Sequence, residues 1–550
     1  MRLSEEHTYK VRLHHQDLGD LGEARLTFGG ERSVTADIGL LSRNAALEAH
    51  ESLEFVSAKS EDGRTFTLCD CTVHGFAIYA VYLICGDVTA NCFQQIDVRY
   101  SDISEWFLHK QRIEGNVGEQ LEWTAMAQQF SVEIAEDTRQ FVLSSNYVSS
   151  RDQIGEDHIL HEHIEFSFQP RQGDFRLEDI STKTRELGAL LSLLIAYPIS
   201  LISVTVSTEP DRFYWVYFAT FKPLARKATQ DFAYQCFLQK HVLDGRWELI
   251  LQNYYQNAKR RKLWVRLAGM QRYEGFWEFR LLGYVSLLDK YVSRRASNAS
   301  FPGKPDEFEA ELRKVSPELD TTTMKAIVAA ARRIWPYQDS TFAEKYAYSV
   351  EQTDNDVIKF IDITENDFKL IKKIRDRIAH GEEPGIADGE FTRITHIVGK
   401  ITLLLTYWSL IDLGLIVDDF LKALNTTRSK MRFAAAFNEQ HLARVTNPKI
   451  FLRASEKQFQ ILLSRKDLHA FPCFIKDQAG EVEISEPYSG VWRAWHMTPA
   501  RNSAMTSYHD IFQVDEGVVE FEQTVYVECN AESMKLHTVC LFDKSKLAPV

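Results

Sequence analysis

Ile371-Lys-Lys-Ile-Arg-Asp-Arg-Ile-Ala-His-Gly381 is the stretch on which the reading of this 550-residue chain turns. Phe368, Ile371, Ile374 and Ile378 recur at the spacing that lines up side chains on one face of a helix. Upstream, Thr364-Glu-Asn-Asp367 carries the Thr-x-x-acid pattern of a helix start. Downstream, Gly381 suits the position just past a helix end, and Glu382-Glu-Pro-Gly385 cannot easily continue one. The pattern predicts a helix from about Glu365 to His380, with Arg375 and His380 in its C-terminal half. An arginine can hold a phosphate in its planar fork, and a histidine can move a proton at neutral pH. The helix dipole at this end favours the imidazolium, as a general acid requires.

Five helical steps turn His380 away from Arg375 by ~140°. One straight helix therefore does not aim both side chains at one point, so either the terminus unwinds or the helix of a second protomer faces it. A plainer alternative is that the basic last turn only complements the helix dipole on a solvated surface.

Working outward, the chain divides into three parts. Residues 1–222 carry short alternating segments such as Ala24-Arg-Leu-Thr-Phe28, Arg64-Thr-Phe-Thr-Leu68 and Ile164-Glu-Phe-Ser-Phe168, which predict a mainly antiparallel β domain suited to recognition. Residues 223–440 shift to helical spacing, interrupted by Ser300-Phe-Pro-Gly-Lys-Pro305 and by the loop 381–389. Residues 441–550 begin with a short helix and end in strand-like runs at Val518–Val527 and Thr538–Phe542, predicting a small α+β region of unknown role. The expected class is an α+β multidomain protein with a central all-α bundle. No repeat, heptad run or low-complexity tract appears.

Composition sets outer bounds. With 45% hydrophobic and 26% charged residues the chain has globular proportions. Its net charge of −13 excludes a surface coated everywhere by nucleic acid, so any RNA contact must be local. Met1-Arg-Leu-Ser-Glu-Glu-His7 lacks the apolar core of a signal peptide. Eight irregularly placed cysteines, without Cys-x-x-Cys units, predict reduced thiols and a cytoplasmic location. Leu187–Ser207 carries no charge, but Pro198 divides it and β-rich sequence follows. It reads as a buried helix leading into a strand, and no membrane partner is expected.

Lys259-Arg260-Arg261-Lys262, flanked by Tyr254, Tyr255, Trp264 and Arg266, interleaves cations with aromatics as single-strand RNA binders do. Equally, it fits a helix with one charged and one buried aromatic face. The doublets Arg294-Arg295 and Arg332-Arg333 could extend a basic surface, although isolated doublets are usually only solvated. Cys69, Cys71 and His74 satisfy no standard zinc spacing, and His158, His161 and His163 fit an exposed strand or turn. Neither set is assigned a metal, and no cofactor is expected.

Ile374-Arg-Asp-Arg-Ile-Ala-His-Gly381 resembles the Arg-polar-x-x-x-His signature of HEPN ribonucleases, with Asp376 where asparagine is frequent. Segments Phe276–Ser293 and Thr392–Leu413 fit the flanking helices of that bundle. Over residues 15–430 the chain is similar to ApeA-type abortive-infection proteins. Gly63-Arg-Thr-Phe-Thr-Leu-Cys-Asp70, Phe93–Phe107 and the apolar helix Leu187–Tyr197 carry that likeness. The resemblance implies metal-independent cleavage of host RNA, transfer RNA being one candidate, by a homodimer restrained until a phage component binds. The ribose 2′-OH would be the nucleophile, leaving 2′,3′-cyclic phosphate and 5′-OH ends. His380 would be the general base or acid and Arg375 the phosphate clamp. Asp376 could orient the histidine or the partner's arginine, and Arg377 would be a peripheral phosphate contact. Two other readings stay open: a catalytically silent dimerisation or RNA-binding bundle, and a β domain that binds a carbohydrate or peptide on a helical scaffold.

Overall fold

The computed structural model describes residues 5–39, 51–115, 122–136, 139–219, 232–297, 304–334, 340–387, 389–498 and 507–547. They form two compact units, residues 1–354 with 363–436 and residues 355–362 with 437–550.

In the first unit, alternation along the early strands closes a barrel. On β1 (His7–His15), Val11 and Leu13 point inward while Lys10, Arg12 and His14 face out. The other strands of the ring are β2 (Gly19–Gly29), β3 (Arg32–Ile38), β4 (Ser52–Ser60), β5 (Thr65–His74) and β6 (Ala77–Cys85). They pair antiparallel in the order β1-β2-β3-β6-β5-β4, and β4 returns to β1. Closure leaves these strands without free edges, and Leu13, Leu26, Val34, Val56, Leu68 and Ile84 fill the interior. Cys69 and Cys71 lie buried on β5, where burial pushes both thiols up, Cys71 to about 12.

From β6 the sheet runs on through six more antiparallel strands. In chain order these are β7 (Gln95–Tyr100), β10 (Ser131–Glu136), β11 (Arg139–Ile154), β12 (Asp157–Pro170), β13 (Leu201–Glu209) and β14 (Arg212–Phe218), with a separate hairpin β8 (Arg112–Glu114) and β9 (Glu122–Ala125). Beyond β6 the spatial order is β14, β13, β7, β12, β11, β10. One face, with Ile96, Val98, Phe141, Phe166 and Phe168, is buried. It is covered by α1 (Ile103–Leu108), α2 (Leu177–Ile195) and α3 (Trp247–Tyr255), through Tyr100 donating to the Thr184 carbonyl at 2.5 Å and Trp247 stacking on Phe130 at 4.5 Å. The opposite face is polar: Gln95 Nε2 donates to Asp97 at 2.7 Å, Gln169 to Gln95 at 3.0 Å and Asn146 to Ser167 at 2.8 Å.

Helix α2 starts well before Leu187, where the Asp179 carboxylate accepts from the Arg176 amide at 2.8 Å, and it ends at Ala196 in the left-handed region. Leu187, Leu190, Leu191, Leu193 and Leu194 are fully buried, and β13 follows, as the sequence predicts. Among the described residues, one helix, Glu390–Asp412, is long and apolar enough to cross a membrane, and 78% of its apolar window is buried inside the protein.

The rest of the first unit is helical. The site depends on α4 (Ala258–Gln271), α5 (Trp277–Arg295), α6 (Phe342–Glu351), α7 (Glu365–Ala379) and α8 (Glu390–Asp412). Helix α5 packs against all four others. Its inner stripe of Leu281, Tyr284, Val285, Leu288, Tyr291 and Val292 is buried at helical spacing, and Tyr291 stacks on Trp408 at 4.8 Å. The breaker cluster 300–305 lies mostly outside the described residues, as do the side chains of Arg332 and Arg333.

The second unit is a five-stranded mixed sheet with helices. In chain order its strands are β15 (Phe451–Arg453), β16 (Cys473–Lys476), β17 (Val482–Ile484), β18 (Val519–Cys529) and β19 (Glu532–Asp543), arranged β15-β18-β19-β16-β17. Helices Glu456–Ser464 and Glu486–Met497 supply Leu462 and Trp492 to its cores. The α+β multidomain class read from the sequence is the class observed, with an antiparallel β part, a helix-rich part and a small β-containing C-terminal part.

Candidate functional site

Helix α7 begins as its sequence predicts. The Thr364 hydroxyl accepts from the Asp367 amide at 3.1 Å, and the Asp367 carboxylate accepts from the Thr364 amide at 3.2 Å. Arg393 also donates to Asp367 at 2.8 Å. Burial pushes the Asp367 carboxyl up, but hydrogen bonds from Arg393 and Thr364 outweigh it and hold the group below the usual carboxylate range. Phe368, Ile371 and Ile374 anchor the inner face.

The C-terminus closes in a Schellman arrangement. The Glu382 amide donates to the Arg377 carbonyl at 2.9 Å, and the Gly381 amide donates to the Ile378 carbonyl at 3.0 Å. Gly381 sits at φ +75°, where an L side chain is strained. His380 is the C-cap, at φ −90°, with an exposed side chain. The terminus thus stays helical rather than unwinding. Arg375 and His380 remain separated by ~140° around the axis and ~7.5 Å along it.

Arg375 is half-buried and engaged on both arms of its fork. Nη2 donates to Asp289 Oδ2 at 2.9 Å, Nη1 donates to Asp376 Oδ1 at 2.8 Å, and the guanidinium lies 5.4 Å from the Phe342 ring centre. Asp376 therefore pairs with its own neighbour and not with His380. Arg377 reaches Glu382 at 3.4 Å. Arg375 opens onto a shallow groove of about 410 Å³ between α5 and α7, bordered by Leu282, Ser286, Asp289, Lys290 and Ala379. Asp289 and Lys290 have no sequence motif that marks them. They are found only because α5 packs on α7.

The basic cluster divides. Lys259 and Lys262 are exposed on α4, and Arg260 reaches Asp412 at 3.4 Å. Arg261, predicted to contact RNA, is instead buried, pairing with Glu136 at 2.5 Å and Glu186 at 2.9 Å and donating to the Tyr255 carbonyl at 2.7 Å. Lys183 joins both carboxylates. Burial raises the Glu186 carboxyl against the pull of Lys183 and Arg261. Tyr254, Tyr255 and Trp264 are core residues, so the aromatic interleaving is packing and not a stacking platform. Arg294 donates to the Asn257 side chain at 2.6 Å, and Arg295 to the Gln352 carbonyl at 2.8 Å.

Among the described residues no group of three or more His, Cys, Asp or Glu side chains is arranged to hold a metal ion. His161 faces Asp152 at 3.3 Å on the long β11–β12 hairpin. The side chain of His158 lies outside the described set.

An antiparallel barrel extended into a helix-backed sheet, followed by a helical bundle in which Arg375 borders an open groove, defines a two-part protein: a β platform joined to a helical region. Residues 6–254 match the family model for ApeA N-terminal domain 1. The matched span takes in every strand described in the first unit and reaches into α3, and the match supports an ApeA-type antiphage defence protein. The match stops before α4, so it does not cover Arg375 or His380. No curated protein and no solved structure matches the chain.

Proposed function

We propose that this ApeA-type protein is an inducible, metal-independent endoribonuclease of the HEPN type that works as a homodimer in the cytoplasm. The observation that carries the reading is Arg375 at the edge of an open groove, on the same helix whose capped end presents His380 to solvent. Because α7 stays helical to its end, one chain cannot bring the two side chains to one phosphate, which favours a site completed by a second copy.

In that site His380 takes the 2′-OH proton or delivers one to the 5′ oxygen, and Arg375 stabilises the charge on the phosphoryl oxygens. The products carry 2′,3′-cyclic phosphate and 5′-OH ends, and DNA, lacking the 2′-OH, is spared. The β platform restrains the bundle until a phage component binds, and host RNA, transfer RNA included, is the substrate. The Asp289 contact supports a resting state, since it occupies an arm of the fork that a phosphate would need.

The test incubates wild type, Arg375→Ala and His380→Ala with total bacterial RNA in EDTA, with and without phage-infected lysate, and maps the RNA ends. Cleavage by wild type alone, leaving cyclic phosphates, is expected. Absence of cleavage in every arm, or equal cleavage by all three proteins, would overturn the proposal.

A further inference from the structure

The buried stripe of α5 accounts for its attachment to the bundle, but the opposite stripe carries side chains that the fold does not use. Ser286 and Lys290 are exposed along the Arg375 groove, with Leu282 and Asp289 half-buried between them. One turn beyond Leu282 on the same stripe stands Phe279, which is 56% exposed, and just before the helix stands Phe276, at 74%. Phe391, 51% exposed, packs edge-on against Trp277 at 5.6 Å, on a different side of α5 from Phe279. Single exposed apolar side chains need no explanation, but Phe276 and Phe279, about 60° apart around α5 and in continuity with the groove that Arg375 and Lys290 border, form a patch of a kind that marks a binding surface.

The chemistry of the stripe changes along its length. At one end Arg375 and Lys290 offer charge suited to a phosphodiester. About 15 Å along the helix, ten residues from Asp289, Phe279 offers a flat apolar ring. A backbone-tracking cation site followed by an aromatic is the combination that holds an unpaired strand, because every base has a face that stacks. A duplex keeps its bases covered and could use only the cations.

We propose that Phe279, with Phe276 beside it, is a base-stacking subsite for single-stranded RNA, in line with the Arg375 groove on the outward stripe of α5. The inference rests on the ribonuclease reading of Arg375 and deepens it by naming unpaired RNA as the substrate class.

The full-length protein is titrated with a short 2′-O-methylated single strand, which cannot be cut, and with the same sequence as a duplex. Phe279→Ala should lose about tenfold in affinity for the single strand, within the range for one base–aromatic stack. Phe279→Tyr should keep that affinity, and duplex binding should not change. In cleavage assays Phe279→Ala should raise KM and leave kcat near wild type. Sedimentation of the same variants tests the competing occupant of a phenylalanine patch, a second copy of the chain. Unchanged single-strand affinity in Phe279→Ala, an equal loss for both RNAs, or a loss that tracks a fall in molecular mass would overturn the subsite. If Arg375→Ala abolishes cleavage while Phe279→Ala behaves as wild type, the subsite alone fails. If wild type neither binds nor cuts RNA, both readings fail.

Discussion

Replacing Arg261 by alanine should destabilise the first unit without a specific effect on RNA. Its guanidinium bridges Glu136, at the end of β10, and Glu186, on α2, and all three side chains are close to nine-tenths buried. Lys183 is the remaining cation, 4% exposed, and faces the same two carboxylates. Removing Arg261 leaves two carboxylates sharing one ammonium, an uncompensated negative charge away from water. Breaking a buried pair by deleting one partner costs about 3–5 kcal/mol, and Lys183 places this case near the lower end, at about 3 kcal/mol. The loss has a pH signature. Burial already raises the Glu186 carboxyl, and without Arg261 it rises further above its unfolded value. A carboxyl raised in the folded state contributes stability at low pH that is lost as pH climbs through the folded pKa. Arg261→Ala should therefore fall further below wild type at pH 8 than at pH 5. Urea unfolding at both pH values reads this directly. Lys259→Ala and Lys262→Ala, both exposed, should stay within about 0.5 kcal/mol of wild type. Arg261→Met combined with Glu186→Leu, which restores neutrality, should recover much of the loss. The reasoning is refuted if Arg261→Ala unfolds like wild type while its RNA binding weakens and the salt dependence drops by about one ion, the mark of a phosphate contact.

Two further outcomes follow from the geometry. Burial and the neighbouring Asp97 push the Glu165 carboxyl up to about 7 on the polar face of the sheet, so this group also favours the fold at low pH and loses that contribution as pH rises through about 7. Glu165→Gln should stabilise the protein by about 1–2 kcal/mol at pH 8, after discounting for partial exposure, and change little at pH 4, as thermal melts would register. Gly381→Ala meets no neighbouring atoms, so only its φ of +75° opposes it. It should cost about 1–2 kcal/mol in urea unfolding, with Gly381→Asn costing less.

What could be read from the sequence was local. Thr364 and Asp367 act three residues apart and Gly381 bonds back only to the turn before it, so spacing alone predicts both ends of α7, and apolar periodicity places α5 and α8 within a few residues of their observed bounds. The start of α2 was hidden because Arg176 and Asp179 precede the uncharged run that draws the eye. Arg261 could not be read at all: its partners lie 125 and 75 residues upstream in the sequence, on β10 and α2, and nothing in a Lys-Arg-Arg-Lys run says which cation turns inward. Tyr254, Tyr255 and Trp264 misled for the same reason, since an aromatic beside a cation looks identical in sequence whether it is core or platform. The return of β4 onto β1 and of β6 onto β3, and the crossing of the chain from β7 to β12 and β13, are likewise pairings between distant segments.

On the proposed reading, Asp289 gives the resting site a definite energetic character. A carboxylate and a phosphodiester present similar oxygen pairs to a guanidinium, so Asp289 and RNA compete for the same N–H groups. Both side chains of this ion pair are partly exposed, and pairs in that setting are worth roughly 0–1 kcal/mol. Displacing Asp289 is therefore easy for a strand already held by Lys290 and the exposed aromatics of α5. What one chain cannot supply is the histidine, because the Schellman closure fixes His380 on a different side of α7 from Arg375. Restraint by the β platform then needs only to keep two copies of α7 from facing each other. Blocking assembly of the pair silences the chemistry without altering a single side chain of the groove.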